Sequence, residues 1–176
     1  MSEIGGEVEF EIVRAGADRL DEIEPTWRSL SDHHAELTPS ELPVRPSAEG
    51  WPLRRERYER SLADGAALLI ARGDGGVIGY ALAYPTTAPV NLAIDRILEV
   101  ETVAVLPAAR GAGVGGALMD AIRELAAEIG IEHLQLAVRT ANEGALRFYE
   151  RQGFAPLYVT LTATRAASAR SLRSSA

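Results

Sequence analysis

Apolar and acidic side chains alternate from Val8 to Val13 (VEFEIV), the period of a half-buried strand, and Arg14-Ala15-Gly16 follows as its end. From Ala17 to Leu37 the period lengthens. Leu20, Ile23, Trp27, Leu30 and His34 recur at helical spacing, and Pro25 predicts one bent helix or two short ones. Pro39, Pro43, Pro46 and Pro52 then predict a surface loop over Thr38–Pro52, since a proline has no backbone donor to offer regular structure. Arg54–Asp64 reads as a charged helix with Tyr58 and Leu62 on one face, stopped by Gly65. Two apolar runs, Ala66–Ala71 and Val77–Tyr84, flank the glycine-rich turn Arg72–Gly76 and predict a hairpin. Ile97–Val105 is the longest strand candidate. It is followed by an amphipathic helix over Gly113–Ile129, with Leu118, Ile122, Leu125 and Ile129 on its apolar face. His133–Val138 predicts a fifth strand, Asn142–Arg151 a helix capped by Asn142 and stopped by Gly153, and Phe154–Thr164 a last strand. This order implies an α/β (α+β) domain of three layers, a mixed sheet covered by helices on both faces. It spans residues 7–164, with residues 1–6 and 165–176 as tails.

Composition narrows the chemistry. At 176 residues, 47% apolar and 24% charged, the chain suits one globular unit with a sizeable core. No cysteine is present, so disulfides, thiolate metal sites and a cysteine nucleophile are excluded. Every basic side chain other than histidine is arginine. The absence of lysine removes Schiff-base chemistry and the ATP-type phosphate loop. The formal charge of -7 argues against nucleic acid and mildly favours a cationic small substrate. His33 and His34 lack a zinc-type partner spacing, and no metal is expected. Neither a basic-then-apolar leader nor an apolar run of about 20 residues is visible, so the expected location is the cytoplasm, without membrane attachment.

Arg110–Gly116 (RGAGVGG) stands where a strand hands over to a helix. Glycines there let successive N–H groups converge on an anion at the positive end of the helix. Gly111, Gly113 and Gly116 also satisfy G-x-G-x-x-G, a weak dinucleotide signal on its own. A nicotinamide fingerprint would follow its strand at once and open the domain. Here Leu106–Arg110 intervene, two-thirds of the chain precedes the motif, and the next strand ends in Arg139 in place of an acid.

The loop resembles the acetyl-CoA loop of the GNAT superfamily of N-acetyltransferases, Gln/Arg-x-x-Gly-x-Gly/Ala, through Arg110, Gly113 and Gly115. Val103–Pro107 resembles the Val-x-Pro strand end of that family, and Asn142–Phe154 (NEGALRFYERQGF) its second block. The likeness covers roughly Arg96–Phe154. It implies a mostly antiparallel mixed sheet splayed between its fourth and fifth strands, with acetyl-CoA as donor, a primary amine as acceptor and a possible homodimer. Cofactor contacts would fall on Val103, Ala104 and Val105, on Arg110, Gly111, Ala112, Gly113, Val114, Gly115 and Gly116, and on Asn142. A non-catalytic acyl-CoA-binding regulatory module is the alternative.

Acyl transfer needs a neutral amine, yet an alkylammonium of pKa about 10.4 is almost wholly protonated at neutral pH. Glu99 and Glu101, two apart on the strand before the loop, are candidate bases if the strand is regular, and a β-bulge would separate their directions. The resemblance places a base at Glu99, often acting through water, and a general acid at Tyr149. The plain alternatives are solvent-facing strand glutamates and a packing tyrosine. Asn142 could bond the pantetheine arm, cap its helix, or both. Arg110 places positive charge beside the phosphates, and Arg139 is a lesser candidate. Trp27, Trp51, Tyr58 and Tyr84 read as packing residues first and as lining of an acceptor pocket second.

Overall fold

Five strands lie side by side in chain order. They are β1 (Phe10–Ala15), β2 (Ala67–Gly73), β3 (Gly76–Thr87), β4 (Arg96–Val105) and β5 (Leu134–Leu136). The first four pair antiparallel, and β5 runs parallel to β4. The computed structural model describes residues 8–40 and 42–163, so both expected tails and the last residue of the expected final strand lie outside the described residues.

Side-chain alternation sends the two faces of the sheet into two cores. One face is covered by a 3-10 segment (Ala17–Ile23), α1 (Glu24–Glu36) and α2 (Ser47–Ala63), which bury Leu20, Ile23, Trp27, Trp51 and Tyr58 against Leu68, Ile70, Tyr80 and Leu82. The other is covered by α3 (Val114–Glu128), whose Val114, Leu118, Met119, Ile122 and Leu125 pack on Leu69, Ala81, Leu98 and Val100. From α4 (Glu143–Arg151), Phe148 and Tyr149 join that second core. Gly79 brings α3 close to the sheet, because a Cβ there would stand 2.9 Å from the Ala104 carbonyl and 3.0 Å from Val114.

Three sequence expectations change. Pro25 falls in the first turn of α1, where it is tolerated, so the predicted stretch is two short segments. The proline-rich stretch is shorter than predicted, since α2 begins at Ser47 and carries Pro52 in its second turn. Pro52 forfeits one helix bond, but the first turns are held down by Trp51, whose ring centroid lies 5.5 Å from that of Trp27. Phe154–Thr164 forms no strand over its described part, residues 154–163, where Leu157 is 61% and Leu161 88% exposed. Alternation sets a preference for extended backbone, whereas a strand needs a neighbouring edge to bond to, and Pro156 cannot donate.

Candidate active site

Between β4 and β5 the sheet comes apart. Their ladder covers only Leu98–Val100 against Leu134–Leu136, while β4 stays paired to β3 as far as Val105. The Leu98 N–H bonds to the His133 carbonyl on the β5 side, and the Leu106 N–H to the Ile78 carbonyl on the β3 side. Counting back from Leu106 by the two-residue period, the backbone groups of Val105 and Val103 face the open side. The switch from even to odd positions is a β-bulge. Val100 opposes Ala83 and Thr102 opposes Leu82, which leaves Glu101 as the additional residue.

The bulge also sets the side chains. Leu98 and Val100 enter the α3 core, so Glu99 between them points to the α1/α2 face. Glu101 points there too, and Thr102 follows it, its hydroxyl 2.8 Å from that of Tyr58 on α2. Thus the bulge falls at Glu101 itself, and it is Thr102, not Glu101, that departs from the alternation, so Glu99 and Glu101 share one face. Their environments differ. Glu99 meets Gln135 Nε2 of β5 at 3.3 Å and is half-buried. Burial pushes its carboxyl above the ordinary range, opposed by the Gln135 hydrogen bond and reinforced by the charge of Glu101. The Glu101 side chain is 8% exposed, and its Oε1 accepts from Arg54 Nη1 at 2.8 Å and forms an ion pair with Arg57, whose Nε lies 3.0 Å away. Its Oε2 is buried with no partner among the described residues. Such an orphaned acceptor costs about 1–3 kcal/mol.

Arg54 and Arg57 are three apart on α2, a spacing that puts both on one face. Arg54 also lies over the rings of Trp27 and Tyr58, 5.9 and 5.4 Å from their centroids. Tyr84, paired opposite Glu99, completes the floor. Burial raises its hydroxyl pKa, the charges of Glu101 and Glu99 add to the rise, and Arg57 opposes it. On α1, burial lowers the pKa of His34, and the positive charge of Arg139 and Arg54 acts the same way. Of this group, sequence reading found the glutamates, but Arg54, Arg57 and Gln135 passed as parts of a charged helix and a strand. The i, i+3 arginine spacing was the available signal.

At the far end of the open edge, Gly111 and Gly113 take left-handed torsions, φ 83° and 84°, and α3 starts directly behind them. No side chain caps this helix and its first turn carries no acid, so its N-terminal donors face outward. Arg110 Nε donates to the Val105 carbonyl at 3.3 Å, which brings its guanidinium to the junction of strand and loop. An open groove of about 570 Å³ runs here between Arg28, Asp32 and Glu36 of α1 and Pro107 and Arg110. Asn142 caps α4, accepting from the Ala145 N–H at 3.1 Å. Tyr149 packs at the α3 side between Phe148 and Phe154, and burial pushes its hydroxyl pKa up to about 12. The sheet face bearing Glu99 is therefore opposite the one on which Tyr149 packs.

A family model described as acetyltransferase (GNAT) family matches residues 27–154. The chain belongs to the GNAT acetyltransferase family. An uncharacterised N-acetyltransferase of Mycobacterium tuberculosis is 34% identical over 103 residues, 58% of this chain and 62% of that relative, so the match spans less than two-thirds of the relative's length. The streptothricin acetyltransferase of Streptomyces lavendulae is 27% identical over 163 residues, 86% of this GNAT chain and 83% of its own. Among solved structures, an aminoglycoside N-acetyltransferase in complex with CoA superposes with a TM-score of 0.67 at 21% identity, covering 94% of this chain and 99% of that one. That likeness concerns the GNAT fold.

Proposed function

We propose that this protein is an N-acetyltransferase that moves acetyl from acetyl-CoA directly to a primary amine of a small molecule or peptide. The observation that carries the reading is the uncapped N-terminus of α3, set behind two left-handed glycines at the end of the open β4 edge. The backbone of Arg110–Gly116 would hold the pyrophosphate, helped by the helix dipole and the Arg110 guanidinium. The open-edge backbone groups of Val103 and the Val105 N–H, flanking Ala104, would bond the pantetheine arm along the strand, and Asn142 would add a further contact; the Val105 carbonyl already accepts from Arg110. The similarity to a protein named streptothricin acetyltransferase supports an acetyltransferase reading.

Glu99 is the base. Its carboxylate takes a proton from the acceptor ammonium, directly or through a water, and burial makes it a better proton acceptor than an exposed glutamate. The amine nitrogen then bonds to the thioester carbonyl carbon, the carbon–sulfur bond breaks, CoA leaves as thiolate, and the surplus proton on the amide nitrogen passes to that thiolate or to solvent. A thiol conjugate acid of pKa about 8.5 leaves without a strong acid. Tyr149, at about 12, keeps its own proton and supplies a hydrogen bond to the developing thiolate. Glu101, with one oxygen taken by two guanidinium groups, is not the base.

Calorimetric titration with acetyl-CoA, CoA and NADPH, followed by a thiol-release assay over a panel of primary amines, tests this. Acetyl-CoA binding with amine-dependent thiol release is expected. Binding without release from any amine favours a non-catalytic acyl-CoA-binding module, and tighter binding of NADPH than of CoA sinks the donor assignment.

A further inference from the structure

Glu101 carries an asymmetry that the transfer chemistry does not use. Both guanidinium contacts converge on Oε1, whereas Oε2 is equally buried and bonds to nothing among the described residues. Burying a carboxylate oxygen without a donor is unfavourable, and such groups are retained where a ligand completes them. The two arginines also differ. Arg54 is wedged over Trp27 and Tyr58 and is 31% exposed, while Arg57 is 55% exposed and stands beside Tyr84. Arg57 is the contact that can swing into water.

We propose that Glu101 anchors a second hydrogen-bond donor of the acceptor, an ammonium or hydroxyl that takes up Oε2, and that Arg57, paired with Oε1 and the more exposed of the two arginines, swings aside to admit it. The proposal rests on the transferase reading for the role of Glu99 and adds the class of substrate. Glu99 and Glu101 share one face two positions apart, at most about 6.6 Å along the strand because the bulge at Glu101 shortens the regular rise. One short molecule therefore reaches both, offering its nucleophilic nitrogen to Glu99 and its second donor to Glu101. The fitting class is a diamine or amino alcohol whose two groups are separated by about two to four carbons, given bonds of about 1.5 Å. A simple alkylamine leaves Oε2 unsatisfied, and discrimination of this kind is strong because the unpaired group belongs to the protein. The net charge of -7 favours such a cationic ligand over an anionic one.

The test is titration of 1,3-diaminopropane, 3-aminopropan-1-ol and propylamine into protein saturated with CoA, where no transfer occurs. The first two are expected to bind at least about tenfold more tightly than propylamine, and the amino alcohol separates hydrogen bonding from added charge. Glu101→Gln is expected to erase the preference, Glu99→Gln to keep it, and Arg57→Gln to strengthen diamine binding by removing the side chain that must swing aside. Arg57→Gln leaves the carboxylate in place, so it decides the matter even if Glu101→Gln fails to fold by circular dichroism. Equal affinities in the unaltered protein, a preference that survives Glu101→Gln, or weaker binding in Arg57→Gln would each overturn the proposal. Thiol release from acetyl-CoA is read separately. A Glu101-dependent preference without release defeats the transferase and leaves the anchor standing, whereas release from all three amines without preference defeats the anchor alone.

Discussion

Two glutamates on one sheet face have been given different tasks by their neighbours. Glu99 has one weak amide contact and partial burial, while Glu101 is enclosed by arginines. Because burial raises the Glu99 pKa and the proposed base acts in its deprotonated form, turnover should fall as the pH drops through that raised value. The acidic limb thus lies above the position an exposed glutamate would give. Glu99→Gln is expected to lower kcat by about 10²–10⁴-fold and to flatten that limb, as measured by thiol release against pH. Tyr149→Phe should cost on the order of tenfold in kcat, less than the loss of an oxyanion-hole donor, because the thiolate leaves readily. An unchanged kcat would return Tyr149 to a packing role. The glutamates stood out in the sequence because they precede the glycine loop on the same strand, and the tyrosine because it lies in the block Asn142–Phe154 that resembles the family's second motif. Arg54 could not, since its partner Glu101 lies 47 residues away and only the fold brings them together.

At the scale of elements, the loop before α3 and the helix α2 make the site. Gly113→Ala places a side chain at φ 84° and should lower stability by about 1–2 kcal/mol while weakening acetyl-CoA binding, read by urea unfolding and calorimetry on the same variant. A loss of stability with unaltered CoA affinity would separate the loop from the ligand. Tyr58 links α2 to the sheet through hydroxyl contacts of 2.8 Å to Thr102 and 3.1 Å to Tyr80. Tyr58→Phe removes the shared member of a buried network, and a loss of about 1–3 kcal/mol is expected in urea unfolding. Helix α3 was fully legible because its apolar face repeats without interruption. The start of α2 was not, because prolines dominate the local signal and the burial of Trp51 against Trp27 that overrules them is tertiary. The β4 bulge was foreseen as a possibility only, since the sequence of one strand does not say where its partner lacks a residue.

For the whole molecule, the strand order followed from the hydrophobic periods, while the missing last strand shows their limit. Leu118→Ala, inside the α3 core, should cost about 2–5 kcal/mol, and Leu157→Ala, on the exposed stretch after α4, within about 0.5 kcal/mol. Equal losses in urea unfolding would mean that the stretch is packed in solution. The bare start of α3 reaches further than the site. Gly113 at the N-cap forgoes a few tenths of a kcal/mol relative to a capping side chain, and leaves the first N–H groups without a side-chain acceptor, at a helix that closes one of the two cores. With acetyl-CoA as the proposed donor, its pyrophosphate would supply that contact instead, and a ligand at a hundred times its Kd adds about 2.7 kcal/mol to the folded state. The proposed donor would then also meter the protein's survival: in a cell short of CoA the chain would open more often and meet proteases sooner, so that its abundance would track the supply of its ligand.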